Sequence, residues 1–194
     1  DKSFNMITVD GDTSTNDMVG VLANGMAGNK EIKSEDDPNF PVFVEHLTEM
    51  MIHLAKLIIS DAEGASKFIE YRVSDAKSYE TARKIARGIS DSLLVKTAMF
   101  GRDPNWGRII MAAGNAGANF DSSNVDLYLG NNTDLVQVLE KGTPRDFNKN
   151  KMKKMLRESH IRVHLALNNG KEEATAWGSD ITTDYVMFNS VYTT

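Results

Sequence analysis

The sequence predicts an α/β fold of the α+β type, because helical and strand patterns alternate without a regular βαβ rhythm or an internal repeat. Residues 39–60 carry apolar side chains at the spacing of one helix face. Several shorter segments alternate apolar and polar residues and flank turn sequences, which is typical of antiparallel strand pairs. With 194 residues, 41% of them apolar and 25% charged, the chain is long enough to bury a core.

Composition and charge exclude several classes of function. The formal net charge of −5 gives no basic surface for nucleic acid or for an anionic membrane. The apolar runs are too short to span a bilayer, and the first residues lack a signal-peptide pattern. Because the chain has no cysteine, disulfides, thiol catalysis and cysteine-ligated zinc are excluded, and we expect a cytoplasmic protein.

Near its start the chain has a polar segment between two apolar ones. Alternating side chains and three β-branched residues predict a strand over residues 4–9. Residues 10–17 (DGDTSTND) are all polar or glycine, and residues 18–23 (MVGVLA) predict a second buried strand. A loop this polar is stable only when its groups are paired or face a ligand, so it is a candidate site.

Several interpretations compete for residues 10–17. Four oxygen-bearing side chains fall at alternate positions, as in a calcium loop: Asp10, Asp12, Ser14 and Asn16. That register requires glycine and glutamate where Thr15 and Val21 stand, which disfavours calcium. A phosphate loop would need more glycine and a Gly-Lys-Ser/Thr ending. A network of local side-chain turns and a ligand site both remain open.

A long helix is predicted over residues 39–60. Its apolar residues recur at helical spacing: Phe40, Phe43, Val44, Leu47, Met50, Met51, Leu54, Leu57 and Ile58. His46, Glu49 and His53 lie on the other face, where a metal site competes with the solvated face that we expect. Gly64 follows the helix and suits a left-handed turn.

The middle of the chain predicts five further elements. They are a strand at 67–73, a helix at 77–90, a buried strand at 93–100 that carries Lys96, a turn at 101–105 and a short helix at 106–113. Four side chains of the helix at 77–90 face inward: Ala82, Ile85, Ala86 and Ile89. Asp103 is predicted to cap the short helix, with Pro104 at its first position.

The last third of the chain predicts mainly strands. These lie at residues 126–129, 135–139, 161–167, 174–177 and 185–188. The first two pair around Gly130-Asn131-Asn132, and the next two form a hairpin across Asn168-Asn169-Gly170. His160 and His164 lie opposite the apolar side chains of their strand, so we expect them to face solvent.

One basic helix is predicted at residues 149–158. It buries Met152, Met155 and Leu156 and presents four lysines on its other face. The lysines suit a phosphate or coenzyme A, but a solvated helix face has the same pattern and is the interpretation that we favour.

Four motifs, in this order, resemble those of the ornithine acetyltransferase (glutamate N-acetyltransferase) family of arginine biosynthesis. They are ITVDGDTSTND at residues 7–17, DAEGASK at 61–67, LVKTAMFGRDPNWGRI at 94–109 and DYVMFNSVYTT at 184–194. Each motif is long and unusual, and the resemblance extends over essentially the whole chain. The chain is therefore identified as a member of this family.

The resemblance implies a fold and a domain arrangement. Family members are layered α/β sandwiches of the self-processing aminopeptidase and ornithine acetyltransferase type. They are made as one precursor that cuts itself before a threonine, and this chain resembles the β chain without its first residues. Residues 1–66 are expected to belong to a layered core shared with the α chain. Residues 67–194 are expected to form a smaller C-terminal α+β domain whose tail returns to the active site.

The resemblance also implies the reaction. The acetyl group of N2-acetylornithine passes to glutamate through an acetyl-threonine, some members also accept acetyl-CoA, and no cofactor or metal is expected. A threonine hydroxyl becomes nucleophilic when a free N-terminal amine takes its proton. No motif like NMAT occurs here, so we expect the threonine upstream of Asp1 and no catalytic residue in this chain. The implied partner is the α chain, in an α2β2 heterotetramer.

Three residues match the substrate-binding residues of the family: Glu63, Asn189 and Thr194. A carboxylate at Glu63 suits the ammonium group of ornithine, and the Asn189 amide can both donate and accept a hydrogen bond. Other polar residues of the third motif are expected to join the domains: Arg102, Asp103, Asn105 and Arg108.

Two departures from the family pattern leave the substrate range open. Val191 stands where family tails carry an acid, and Ser179 stands where many relatives have cysteine. Two other functions compete: an N-terminal-nucleophile amidase or aminopeptidase of the same fold, and a structural subunit without activity. Glu63 and the ending NSVYTT favour the acetyltransferase over the amidase.

Overall fold

One mixed β-sheet organises the protein in this computed structural model, which describes residues 1–191. Within these residues the strands are β1 (Ile7–Thr8), β2 (Phe68–Ala76), β3 (Asp126–Asn131), β4 (Leu135–Glu140), β5 (Thr143–Pro144), β6 (His160–Ala166) and β7 (Glu172–Ser179). They lie in the order β1-β7-β2-β6-β3-β4-β5. The predicted α/β fold with antiparallel pairs is confirmed.

Strand β2 lies inside the sheet, and its neighbours show how the chain is connected. It runs parallel to β6, with Tyr71 beside Val163, and antiparallel to β7, with Tyr71 beside Ala176. The hairpin predicted between β6 and β7 is therefore wrong, because β2 lies between them. The turn sequence does reverse the chain, since Asn168 adopts a left-handed φ of 53°. A turn does not determine which strand the returning chain meets.

Six helices are described between residues 1 and 191. They are α1 (Phe40–Ser60), α2 (Tyr79–Asp91), α3 (Leu93–Phe100), α4 (Trp106–Gly114), α5 (Lys149–Met155) and α6 (Thr183–Val191). Helix α2 packs on β2 and β7. It buries the four residues predicted to face inward, and α5 buries its predicted residues as well.

Helices cover both faces of the sheet near β1 and β7. Lys96 of α3 reaches Gly178, whereas the ammonium group of Lys56 in α1 lies 4.8 Å from the centre of the Trp177 ring. Consecutive residues of a strand point to opposite faces of the sheet. Helices α3 and α1 therefore lie on opposite sides of β7, which gives the layered α/β arrangement.

Helix α1 exposes most of its predicted apolar face. Ala55 and Ile59 are buried, but Met50, Leu54 and Leu57 are 60%, 46% and 50% exposed. The periodicity correctly identified the helix and its bounds. It could not show what covers the helix, because a contiguous apolar stripe has the same sequence pattern whether its partner is present or not.

Two early predictions of strands are corrected. Residues 18–23 have no regular structure, and Met18 and Leu22 are almost fully exposed. Residues 4–9 form a 3-10 turn at Phe4–Met6, followed by the two-residue strand β1, which runs parallel to the end of β7. An uncharged apolar run lacks a distinguishing period, so its composition alone gave no reliable prediction of a strand.

Two later predictions of strands are wrong because local hydroxyl groups start helices. Residues 93–100 form α3, whose first turn is capped by the Ser92 hydroxyl accepting a hydrogen bond from the amide of Val95. Residues 185–188 lie within α6, where the Thr182 hydroxyl accepts from the amide of Tyr185 at 3.0 Å. Both sequences are short apolar runs, which fit a buried strand and a helix equally well.

Two smaller predictions are also corrected. Helix α4 begins at Trp106 as predicted, but Asn105 and not Asp103 caps it, because the Asn105 side chain accepts a hydrogen bond from the amide of Arg108 at 3.2 Å. His160 is exposed as predicted, but His164 is half-buried. Its Nε2 lies 2.9 Å from the Ser74 hydroxyl, its ring stacks on Tyr128, and burial lowers its pKa.

Residues 1–191 contain no helix that is both long enough and apolar enough to cross a membrane.

Candidate functional site

Glu63 lies in a tight turn directly after α1. Its side chain is exposed, and the following Gly64 has the left-handed φ of 69° that was predicted for it. The Gly64 carbonyl accepts a hydrogen bond from the Thr182 hydroxyl at 2.5 Å. A Cβ atom at Gly64 would clash with the backbone of Tyr185. Glycine therefore lets the Glu63 turn sit directly against the first turn of α6.

Asp180 holds the other side of the same turn. Its carboxylate accepts hydrogen bonds from the Ser66 amide at 2.8 Å, the Ser66 hydroxyl at 2.5 Å and the Lys67 amide at 3.0 Å. Asp180 is buried, so these bonds replace the water that its charge has lost. Sequence reasoning did not identify Asp180. The only signal was an acidic residue directly after an apolar strand.

The polar loop that follows β1 is tied to α6 by one hydrogen bond. The Tyr185 hydroxyl donates to Oδ2 of Asp10 at 2.7 Å. This bond raises the pKa of Tyr185 to about 12, with help from burial and from the charges of Asp10, Asp12 and Glu63. The carboxylates of Asp12 and Glu63 thus lie close enough to act on the same phenol. The first motif and the Glu63 turn meet at Tyr185.

The rest of the polar loop is folded mainly by its own side chains. The Gly11 amide donates to the Thr8 hydroxyl at 3.1 Å, and the Asp12 amide donates to Asp10 Oδ1 at 2.9 Å. Ser14 accepts from the amides of Asn16 and Asp17. The interpretation as a network of local turns therefore accounts for most of these groups. The Asp10 carboxylate is the exception, since it also reaches α6.

Asn189 lies in α6, one turn after Tyr185. Its side-chain amide donates to the Tyr185 carbonyl at 3.0 Å, and the residue is exposed. Val186, Met187 and Phe188 are also exposed. Thr194, the third residue that matches the family, lies outside the described residues. The described part of the predicted site thus places Glu63 in a turn that packs against the start of α6, and Asn189 one helical turn further along α6.

Lys96 lies beneath these segments. It is fully buried in α3, and its ammonium group donates to the Ser179 carbonyl at 2.9 Å. Burial lowers its pKa to about 8, while the nearby carboxylates of Asp91, Asp10 and Asp180 oppose that shift. A buried lysine with several carboxylates around it is a recurrent feature of functional sites.

The polar residues of the third motif mainly hold α3 and α4 together. Arg108 donates from its guanidinium group to the Leu94 carbonyl at 3.0 Å. The Asn105 side chain donates to Asp103 at 3.0 Å, and Arg102 has a left-handed φ of 56°. Within residues 1–191 no cluster of three or more histidine or acidic side chains is arranged to hold a metal ion, and Nδ1 of His46 lies 3.3 Å from a carboxylate oxygen of Glu49.

A family model described as the ArgJ family matches residues 1–194. The chain is 50% identical to a protein of Symbiobacterium thermophilum and 47% identical to one of Thermotoga neapolitana, each over 194 residues. Both are named arginine biosynthesis bifunctional protein ArgJ. The alignments cover 100% of this chain but only 47% and 49% of those proteins. The chain therefore spans about half the length of the curated relatives it matches.

The fold is also similar to a solved structure. A crystal structure of arginine biosynthesis bifunctional protein argJ from Bacillus halodurans superposes with a TM-score of 0.91 and 39% sequence identity. The match covers 98% of this chain and 88% of that chain.

Proposed function

This chain belongs to the ArgJ family, and we propose that it supplies a substrate-binding part of an acetyltransferase of arginine biosynthesis. The enzyme moves the acetyl group of N2-acetylornithine to glutamate. The family match over the whole chain and the named relatives support this reaction over the amidase alternative. The observation that carries the proposal for this chain is that the Glu63 turn packs against the first turn of α6, the helix that carries Asn189.

The proposed site recognises an amino acid by charge. Glu63 is exposed and unhindered, so its carboxylate binds the side-chain ammonium group of ornithine. Asn189 presents an amide that both donates and accepts, which suits the carboxylate and acetamide of the donor. Thr194 adds a hydroxyl from the end of the chain. Glutamate uses the same site in the second half-reaction, because donor and acceptor share the α-amino acid group.

In this proposal the α chain corresponds to the part of the relatives' length that this chain does not span. The exposed apolar face of α1 supports it, because such a face normally packs against another element. Residues 1–66 then belong to a core shared with the α chain, and residues 67–194 form the C-terminal domain. Two copies of each chain form the α2β2 assembly, in which the exposed residues Met18 to Leu22 also meet a partner.

The chemistry is ping-pong. A threonine hydroxyl attacks the acetyl carbonyl, its proton passes through a free N-terminal amine to the leaving amine of ornithine, and an acetyl-threonine ester forms. The amine of glutamate then attacks this ester and releases the threonine. In this proposal the threonine belongs to the part of the relatives' length that this chain does not span. No cofactor takes part, and acetyl-CoA is a second acetyl donor.

Replacing Glu63 by glutamine in the complete protein tests the role of this chain. The change keeps the size of the side chain and removes its charge. We expect a loss of about 1.5–3 kcal/mol of donor binding, which is a rise in KM for N2-acetylornithine of roughly 10- to 100-fold. Steady-state transfer of the acetyl group to glutamate provides the measurement. Thermal unfolding should change little, because the Glu63 side chain is exposed.

Glu172→Gln is the matched control, since Glu172 is an exposed glutamate at the opposite end of β7. It should leave KM unchanged. Equal constants for Glu63→Gln and the control would remove Glu63 from the site. Release of free acetate at the same rate with and without glutamate would instead favour the amidase.

A further inference from the structure

A cavity of about 610 Å³ lies where the third motif meets the basic helix α5. Its wall joins residues 103–107, which lead into α4, to side chains from residues 144–153, which lead from β5 into α5. Both segments carry sequence patterns that the proposed function does not use. Cavities of roughly 300–1,000 Å³ are typical of sites for small molecules.

Two aromatic side chains form one part of the cavity wall. Trp106 opens α4, and Phe147 lies in the segment before α5. Both are half-buried and pack against the hydrophobic core of the protein. The Asn105 cap, which accepts from the amide of Arg108 at 3.2 Å, fixes the turn in which Trp106 begins its helix. Aromatic rings that a core holds in place suit the stacking of a flat ligand ring.

Two lysines of α5 form another part of the wall. Lys149 and Lys153 both line the cavity, and their spacing of four residues places them on one face of the helix. Neither lysine has an ion pair among the described residues, whereas Lys151 of the same helix pairs with Asp134 at 2.6 Å. Like charges at this spacing repel each other. A bound anion with several oxygens would relieve the repulsion and pair with both ammonium groups.

The other charged side chains of the wall are mostly engaged within the protein. Arg145 forms an ion pair with Glu140. The Asp103 carboxylate accepts a hydrogen bond from the Asn105 side chain at 3.0 Å. Asp146 remains, and a carboxylate beside a ring and an anion site suits the hydroxyl groups of a ribose. The wall therefore offers groups for a flat ring, for a ribose and for a phosphate.

We propose that this cavity binds a nucleoside phosphate, with the base against the two aromatic rings, the ribose hydroxyls at Asp146 and the phosphates at the two lysines. The same chemistry occurs in free nucleotides such as ADP and at the nucleotide end of coenzyme A. None of the described residues that line the cavity belongs to the Glu63 turn or to α6. The proposal therefore does not depend on the reaction that the enzyme catalyses.

Titration calorimetry of the complete protein with ADP tests the phosphate contacts. Methionine keeps the length of a lysine side chain and removes its charge. We expect Lys149→Met and Lys153→Met each to weaken ADP binding about tenfold, because each removes a charge-assisted contact. Lys154→Met is the matched control, since Lys154 is exposed in the same helix and does not line the cavity. It should leave the affinity unchanged.

A second comparison separates the base from the phosphates. Trp106→Leu should weaken ADP binding about fivefold or more, because it removes the stacking surface, but it should not change the binding of inorganic pyrophosphate. If Trp106→Leu does not fold, Phe147→Leu provides the same comparison. Titration with coenzyme A identifies the source of the nucleotide. Tighter binding of coenzyme A than of ADP would assign the cavity to the coenzyme, and the reverse order would assign it to a free nucleotide.

Three results would overturn the proposal. One is the absence of binding by both ADP and coenzyme A at millimolar concentrations. Another is an equal loss of ADP affinity in Lys153→Met and in the control Lys154→Met, since the charge of the helix as a whole would then explain binding. The third is an unchanged ADP affinity in the aromatic variant, which would leave an anion site that does not recognise the base.

Discussion

Two aspartates connect segments that lie far apart in the sequence. Asp180 accepts a hydrogen bond from the amide of Ser66, which is 114 residues away in the sequence. Asp10 accepts a hydrogen bond from the hydroxyl of Tyr185, which is 175 residues away. Hydrogen bonds to an ionised acceptor are roughly twice as strong as neutral ones. At the residue scale, the proposed substrate site is therefore held together by carboxylates that do not themselves belong to it.

Tyr185→Phe tests the link between the polar loop and α6. Removing the hydroxyl should lower the free energy of unfolding of the complete protein by about 1 kcal/mol at pH 8. The hydrogen bond to Asp10 is the largest cause, followed by burial and nearby carboxylates, that raises the pKa of Tyr185 from its ordinary value of 10.0 to about 12 in the folded state. The folded protein therefore keeps this proton at a pH where the unfolded chain loses it. Tyrosine therefore raises the free energy of unfolding relative to phenylalanine by its full amount below pH 10. This difference declines as the pH rises toward 12.

Chemical denaturation of both proteins at pH 8 and at pH 11 measures this difference. Tyr128→Phe serves as the control at pH 8, since the Tyr128 hydroxyl makes no hydrogen bond among the described residues. It should change the free energy much less than Tyr185→Phe. A difference between tyrosine and phenylalanine at position 185 that is the same at both pH values would contradict the assigned bond.

The sequence identified the residues that match the family but not the residues that support them. Glu63 and Asn189 stood out because they lie in long motifs, and Gly64 stood out because glycine suits a left-handed turn. Asp180 and Thr182 gave no comparable signal. A pattern of apolar residues predicts which face of an element is buried. It does not predict which distant backbone groups a single carboxylate or hydroxyl will meet.

At the scale of elements, α1 differs most from an ordinary surface helix. It contacts the sheet through β1 and β7, yet leaves a stripe of large apolar side chains exposed. Its buried contacts, Ala55 and Ile59, are few for a helix of 21 residues. Such a helix gains most of its stability from a partner on the open side.

Leu54→Glu tests whether the exposed face of α1 is an interface with the proposed α chain. A charge in an apolar interface should weaken assembly strongly, because the carboxylate loses its hydration on association. We expect sedimentation to show dissociation of the complete protein, while circular dichroism remains unchanged. Lys171→Glu introduces the same side chain at an exposed position outside α1 and should leave the assembly intact. Normal assembly of Leu54→Glu would show that this face is not the interface.

Elements with a clear period were predicted correctly, and short apolar runs were not. The long helix α1, the amphipathic α2 and the β3–β4 pair all carry several repeats of their pattern. The segments that became α3 and α6 are only eight and nine residues long and are apolar on most sides. Their helical form depends on single hydroxyl caps at Ser92 and Thr182. Such a cap contributes only a small free energy in favour of the helix over a strand.

At the scale of the whole molecule, the first and last parts of the described chain share one sheet. Strand β1 pairs with β7, and α1 packs beside them. The predicted division at residue 66 remains a prediction, because contacts within one chain do not show how a partner completes the core. The order of strands around β2 could not be predicted from turn sequences, because β7 pairs with β2 and not with β6, the strand that precedes it in the sequence.

A crystal structure of the complete protein with N2-acetylornithine bound tests most directly the central claim, that Glu63 and Asn189 bind the donor. With N2-acetylornithine in the site, we predict that the side-chain ammonium group of the ligand lies about 2.7–2.9 Å from the Glu63 carboxylate. The Asn189 amide should contact the same ligand, and the Tyr185–Asp10 bond should be retained. A ligand bound away from both Glu63 and Asn189, with neither side chain within hydrogen-bond distance, would contradict the account.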